Sequence, residues 1–185
     1  MFEVEVKFRL TQELYNEIRN KLASIGAKFL EEVFEIDSYL AHPCRNFAET
    51  DEALRIRVVS KNGERSAVLT YKGPRLGGEG KTREEINVEI QDPEKLLLLF
   101  ERLGFRKVAE IRKRRLVYTY ENFTIVLDDV ENLGKFVEIE TVTDSRDLVD
   151  KCVSEILSFA ENSLGLSRDL VEPRTYLELM IGGSG

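Results

Sequence analysis

Carboxylates and basic side chains recur at i, i+2 spacing in one segment after another of this 185-residue chain. Glu3, Glu5 and Lys7 alternate with Phe2, Val4, Val6 and Phe8, and Arg55 and Arg57 alternate with Leu54, Ile56 and Val58. Lys72 shares the parity of Thr70 and Val68, Arg83 that of Glu85 and Glu89, and Lys113 that of Arg115. Asp128 follows Thr124 and Val126, and Glu138 and Glu140 alternate with Val137 and Ile139. Alternation with period two marks a strand that buries one face. On a single strand, such charges read as the solvated face of an antiparallel sheet. Repeated on nearly every strand, with few neutral polar residues among them, they read differently. A sheet curled with that face inward encloses carboxylates beside guanidinium and ammonium groups, and each ion loses several kcal/mol of hydration. A polyanion with a divalent metal offsets that loss. Carboxylate oxygens suit a hard cation, and Arg and Lys suit phosphate oxygens. The charge pattern therefore points to a metal–polyphosphate site.

Other chemistries are poorly supplied. His42 is the only histidine, so no mechanism can rest on several imidazoles, and beside Pro43 it reads as a loop residue. Cys44 and Cys152 lie far apart without paired spacing, which argues against a disulfide scaffold or a zinc site. Both read as packing residues. Gly77-Gly78-Glu79-Gly80 lacks the strand–loop–helix context of a phosphate-cradling P-loop. The net charge of −7 argues against general nucleic-acid binding, which needs a basic face, although it permits a local basic pocket. No apolar run approaches the roughly 18–20 residues of a membrane span, and the N-terminus is too acidic for a signal peptide. A cytoplasmic protein with reduced thiols is expected.

These residues need elements to hold them. Residues 2–10 form a strand, and Thr11 then caps a helix with apolar positions Leu14, Ile18, Leu22 and Ile25, closed at Gly26. A strand over 84–90 leads into Asp92-Pro93, a helix over 94–103, Gly104 and a strand-like stretch. The two halves read either as an internal strand–helix–strand duplication or as chance similarity. A third amphipathic helix runs through 148–160 and stops near Gly165. Further strands fall at 53–59, 66–72, 112–120, 123–128 and 136–142. The reading is α+β, mostly antiparallel sheet, in one domain over 1–181 with a flexible tail at 182–185.

In chain order these segments resemble the CYTH superfamily, the triphosphate tunnel metalloenzymes. Glu3-Val4-Glu5-Val6-Lys7 resembles the opening ExExK strand, Ala53-Leu54-Arg55-Ile56-Arg57 the LRIR strand, and Thr70-Tyr71-Lys72-Gly73-Pro74 the TYKGP segment. Arg83-Glu84-Glu85, Lys113-Arg114-Arg115 with Tyr118, Leu127-Asp128-Asp129-Val130 and residues 133–140 are similar to the segments that follow. The resemblance implies a closed or nearly closed eight-stranded antiparallel β-barrel, the triphosphate tunnel, with flanking helices. It implies that Glu3, Glu5, Asp128, Glu138 and Glu140 face Mg²⁺ or Mn²⁺. Lys7, Arg55, Arg57, Lys72, Arg83, Lys113 and Arg115 would bind the triphosphate, with Glu85 organising them. Glu5, Lys7 and Asp128 would be the catalytic members. A register shift would exchange Lys113 and Arg115 for Arg112 and Arg114.

Asp37 to Phe47 and Thr50 to Leu54 resemble the D-x-Y…P-x-R-x-F…EALRIR pattern of the class IV adenylate cyclases. That subgroup implies conversion of ATP to cyclic AMP and pyrophosphate. Hydrolysis of thiamine triphosphate or inorganic tripolyphosphate is the alternative, and a non-catalytic triphosphate-binding module is the third reading. A small-molecule triphosphate is the expected partner. Neither nucleic acid nor membrane is expected, and homodimerisation stays open.

Overall fold

The computed structural model describes residues 2–74 and 84–182. Arg83, the glycine-rich segment at 77–80 and tail residues 183–185 lie outside the described residues. The elements are β1 (Phe2–Leu10), α1 (Gln12–Ser24), β2 (Lys28–Ala41), β3 (Ala53–Lys61), β4 (Glu64–Lys72) and β5 (Glu85–Ile90). Then follow α2 (Pro93–Arg102), β6 (Arg106–Tyr120), β7 (Phe123–Val130), β8 (Gly134–Thr143), α3 (Val149–Phe159) and α4 (Tyr176–Gly182). The strands form one eight-stranded antiparallel sheet in the order β1-β8-β7-β6-β2-β3-β4-β5. Hydrogen bonds among the described residues do not pair β5 with β1, so backbone pairing does not close the expected barrel.

Local chemistry explains the boundaries. Thr11 Oγ1 accepts the Leu14 N–H at 3.2 Å and starts α1. Asp92 Oδ1 accepts the Lys95 N–H at 2.9 Å, and Pro93 occupies the first turn of α2, where a missing N–H costs nothing. Between β3 and β4, Asn62 and Gly63 take φ of 50° and 85°. Two successive left-handed residues make the tight hairpin turn that suits twisted strands.

The described residues form two compact units. The first comprises residues 2–32 and 114–174. Its core joins Val4, Val6 and Phe8 of β1, Ile18 and Leu22 of α1, Ile125 and Leu127 of β7, Val137 and Ile139 of β8, and Ile156 of α3. Because these alternate residues of β1 and β8 fill the core, Glu5, Lys7, Glu138 and Glu140 must project from the opposite face.

The second unit comprises residues 33–74, 84–113 and 175–182. Its buried set mixes Tyr39, Ile56, Val58 and Ile111 with the charged Glu35, Asp37 and Lys113. Two elements here exceed the sequence reading. β2 over Lys28–Ala41 and α4 over Tyr176–Gly182 stand where the sequence pattern set no element. Gly182, assigned to a flexible tail, is the last residue of α4.

Candidate functional site

In the first unit, antiparallel register sets Glu5 opposite Glu140 and Lys7 opposite Glu138. Carboxylate oxygens of Glu5, Glu138 and Glu140 lie within 4.8 Å of one another. Burial pushes the Glu140 carboxyl up to about 8, and repulsion from Glu138, Glu3 and Glu5 adds to it against the opposing pull of Arg115. Arg115 ties the group together. Its Nε donates to Asp128 Oδ1 at 2.8 Å, and its Nη2 donates to Asp128 Oδ2 at 2.6 Å and Glu138 Oε2 at 2.7 Å. Lys7 Nζ stands 3.9 Å from Glu138 Oε1, and both side chains are buried.

This donor set fits Mg²⁺ or Mn²⁺. The three clustered groups offer hard oxygen ligands, and their crowded negative charge is what a divalent cation would relieve. Of the five carboxylates expected at the metal, Glu5, Glu138 and Glu140 come together. Asp128 gives both its oxygens to Arg115, and Glu3 is exposed beyond the cluster although its charge reaches Glu140.

The second unit carries a network of its own. Arg57 grips Asp37 with two hydrogen bonds of 2.6 and 2.7 Å and lies 3.3 Å from Glu35. Lys113 Nζ sits 3.0 Å from Glu35 and 3.5 Å from Asp37, and 5.2 Å from the centroid of the Tyr176 ring. Burial alone would raise the Asp37 carboxyl. The Arg57 hydrogen bonds and the charges of Lys113, Arg57 and Arg55 outweigh it and hold the group well below the usual carboxylate range. Arg55 Nη2 reaches Thr70 Oγ1 at 3.4 Å, and Lys72 pairs with Glu85 at 2.6 Å. Beside this network lies a cleft of about 420 Å³ lined by Arg55, Arg57, Val68, Thr70, Asn87 and Glu89.

The parity question has a plain structural answer. Lys113 is 2 % exposed and Arg115 reaches buried carboxylates, whereas Arg112 and Arg114 are exposed and pair with Glu110 and Glu32. The sequence reading gave Glu35 no place, and Asp37 only its place in the D-x-Y pattern, with no role at the site. Their signal was present, because Glu31, Glu35 and Asp37 share a parity opposite Leu30, Phe34 and Ile36, as on the other strands. Asn87 gave no such signal, since a lone amide on a strand marks nothing by itself.

An antiparallel eight-stranded sheet with flanking helices, bearing clustered carboxylates and guanidinium groups, is the architecture of the CYTH fold. Residues 1–176 match the CYTH domain, and the chain belongs to the CYTH family. It is 40% identical over 179 residues to a Methanocaldococcus jannaschii protein whose name proposes an adenylate cyclase, covering 97% of this chain and 98% of that one. It is 32% identical over 179 residues to adenylate cyclase CyaB of Aeromonas hydrophila, covering 96% of this chain and 88% of that one. The solved structure of a Pyrococcus horikoshii protein matches with a TM-score of 0.87 at 40% identity, covering 98% of this chain and 99% of that one. No helix among the described residues is long and apolar enough to cross a membrane.

Proposed function

We propose that this chain is a divalent-metal-dependent enzyme that acts on a triphosphate and converts ATP to cyclic AMP and pyrophosphate. The observation that carries the reading is the convergence of Glu5, Glu138 and Glu140 oxygens within 4.8 Å of one another, with Lys7 of β1 and Arg115 of β6 both reaching Glu138 with positive charge. The names of the two curated relatives support the cyclase form of the reaction.

Glu5, Glu138 and Glu140 would hold Mg²⁺ or Mn²⁺, which when bound would supply neutralisation of phosphate charge and polarisation of a phosphoryl oxygen. In the first unit Lys7 and Arg115 bind phosphate oxygens and stabilise the charge that develops on them, and in the second unit Arg55, Arg57 and Lys72 offer phosphate oxygens the same chemistry. Asp128 holds the Arg115 guanidinium in its plane, and Glu85 holds Lys72. Beside the phosphate contact expected of it, Lys113 has a balancing task within the chain. Packed against Glu35 and Asp37, it keeps their charges balanced so that Asp37 can orient Arg57. The ribose 3′ hydroxyl gives up its proton to solvent as its oxygen bonds to the α-phosphorus, and the bond from that phosphorus to the pyrophosphate leaving group breaks.

The test is to incubate the protein with Mg²⁺ or Mn²⁺ and, in parallel, ATP, thiamine triphosphate or inorganic tripolyphosphate. Cyclic AMP together with pyrophosphate supports the cyclase reading. Free phosphate assigns the same residues to hydrolysis, and the absence of any product overturns the enzyme reading.

A further inference from the structure

The cleft of the second unit has two chemically different sides. Backbone register puts Arg55, Thr70 and Asn87 in one row across β3, β4 and β5, and Arg57, Val68 and Glu89 in the next. The β3 side presents two guanidinium groups. Nε of Arg55 is buried there without a hydrogen-bond partner among the described residues. A buried donor left open in this way calls for an acceptor from a ligand, and phosphate oxygens are strong acceptors.

The β5 side presents an amide and a carboxylate. Asn87 Oδ1 accepts the Thr70 hydroxyl at 2.8 Å, which leaves the amide N–H groups as the donors that Asn87 can offer a ligand. Glu89 lines the same cleft, while Arg57, its neighbour across Val68, turns to Asp37 and Glu35. A bare tripolyphosphate has little to offer Glu89 at neutral pH, because nearly all its oxygens are ionised acceptors and its net negative charge repels a carboxylate. A nucleotide carries donors next to its phosphates: the ribose hydroxyls and, in adenine, an exocyclic amine. The cleft volume of about 420 Å³ falls within the roughly 300–1,000 Å³ usual for small-molecule sites.

We propose that Asn87 and Glu89 form a nucleoside-recognition subsite that selects a triphosphate bearing hydroxyl or amino donors over inorganic tripolyphosphate. The inference rests on the assignment of Arg55 and Arg57 to phosphate oxygens made above. Selection works through both partners. Glu89 attracts the donors of the nucleoside and repels an anion that extends past the arginines, and a site built to hydrogen-bond a group rejects an analogue lacking it.

The experiment is calorimetric titration of the whole chain with ATP and with inorganic tripolyphosphate, divalent cations being chelated so that neither is turned over. In Glu89→Ala, Kd for ATP should rise by about tenfold or more, the effect of losing hydrogen bonds to a charged acceptor. Kd for tripolyphosphate should stay the same or fall. Asn87→Ala should weaken ATP in the same selective way. ITP, which lacks the amine, and 2′,3′-dideoxy-ATP, which lacks the hydroxyls, identify the donor. The analogue missing the recognised group binds wild type less tightly than ATP does, but binds Glu89→Ala about equally. Unchanged ATP binding in both variants, or equal losses for ATP and tripolyphosphate, overturns the subsite and leaves the triphosphate reading intact. A wild type that binds neither compound in chelator and turns over neither with Mg²⁺ or Mn²⁺ overturns both.

Discussion

Arg115 grips Asp128 through both carboxylate oxygens, at 2.8 and 2.6 Å, and Asp128 has 0% exposure. A buried pair of this kind gains little over apolar packing, but removing one partner strands the other in a poor solvent. Asp128→Asn keeps the shape and removes the charge. We expect it to cost about 3–5 kcal/mol in urea denaturation, towards the lower figure because Arg115 retains Glu138 as a partner. A loss below about 0.5 kcal/mol, the range of ordinary surface substitutions, would reject Asp128 as the residue that holds Arg115.

Asp37 should set part of the acid sensitivity of the protein. Its carboxyl is held below the usual range in the folded chain, so the folded state binds its proton less tightly than the unfolded state does. The stability it contributes is therefore fully present above the ordinary aspartate value of about 3.9 and is lost as pH falls towards the lower folded value. Urea midpoints measured from about pH 6 down to pH 2 should fall less steeply in Asp37→Asn than in wild type. Parallel curves would show that Asp37 is not one of the groups whose protonation unfolds the protein.

Neighbouring basic residues on β6 should behave in opposite ways. Arg112 and Arg114 pair at the surface with Glu110 and Glu32, where solvent screens the interaction, so alanine at either position should leave denaturation midpoint and turnover nearly unchanged. Lys113→Met and Arg115→Ala each remove the counter-charge of buried carboxylates. Both should lower stability by about 3 kcal/mol or more and impair turnover. A loss of turnover in Arg114→Ala equal to that in Arg115→Ala would show that the strand uses the other parity.

Arg55→Ala should weaken triphosphate binding far more than it weakens folding. A charge-assisted contact to phosphate contributes about 1.5–3 kcal/mol, whereas the ties of Arg55 within the chain are long, 3.4 Å to Thr70 and 3.8 Å to Asp37. Titration with ATP and thermal denaturation of the same variant would separate the two effects. Unchanged affinity in a well-folded protein would remove Arg55 from the phosphate contacts.

The residues most legible in the sequence were those on strands with strict alternation. Val4, Val6 and Phe8 fill the core, so Glu5 and Lys7 had one face left to occupy, and Val137 and Ile139 do the same for Glu138 and Glu140. β2 was harder to read because its apolar residues Leu30 and Phe34 are exposed while its carboxylates Glu35 and Asp37 are buried. That inverts the rule by which a strand is normally oriented, and only partners distant in sequence, Arg57 and Lys113, make such burial tolerable. The division of labour among the five acidic candidates was also illegible. Asp128 and Glu138 look alike on alternating strands, and it is the reach of Arg115 that gives both oxygens of one to a guanidinium and leaves the other beside Glu5 and Glu140.

Glu5→Gln separates the fold from its chemistry. Glu5 lies opposite Glu140 across the β1–β8 pair, and its charge adds to the repulsion that raises the Glu140 carboxyl to about 8. An amide of the same shape removes that repulsion without opening a cavity, so the metal-free variant should be as stable as wild type or slightly more so. Turnover should nevertheless fall by orders of magnitude, because one negative oxygen is gone from the three-carboxylate cluster. Raising Mg²⁺ or Mn²⁺ should recover part of the rate if weakened metal affinity is the main loss. Calcium should substitute poorly in either protein, since its larger and looser oxygen shell misplaces the reacting groups. The measurements are thermal denaturation in chelator and initial rate against metal concentration, for both proteins and on whichever triphosphate is turned over. Equal wild-type rates in chelator and in Mg²⁺ would overturn the metal-dependent reading as a whole. A metal-dependent wild type beside a fully active Glu5→Gln would reject only the place of Glu5 in the cluster.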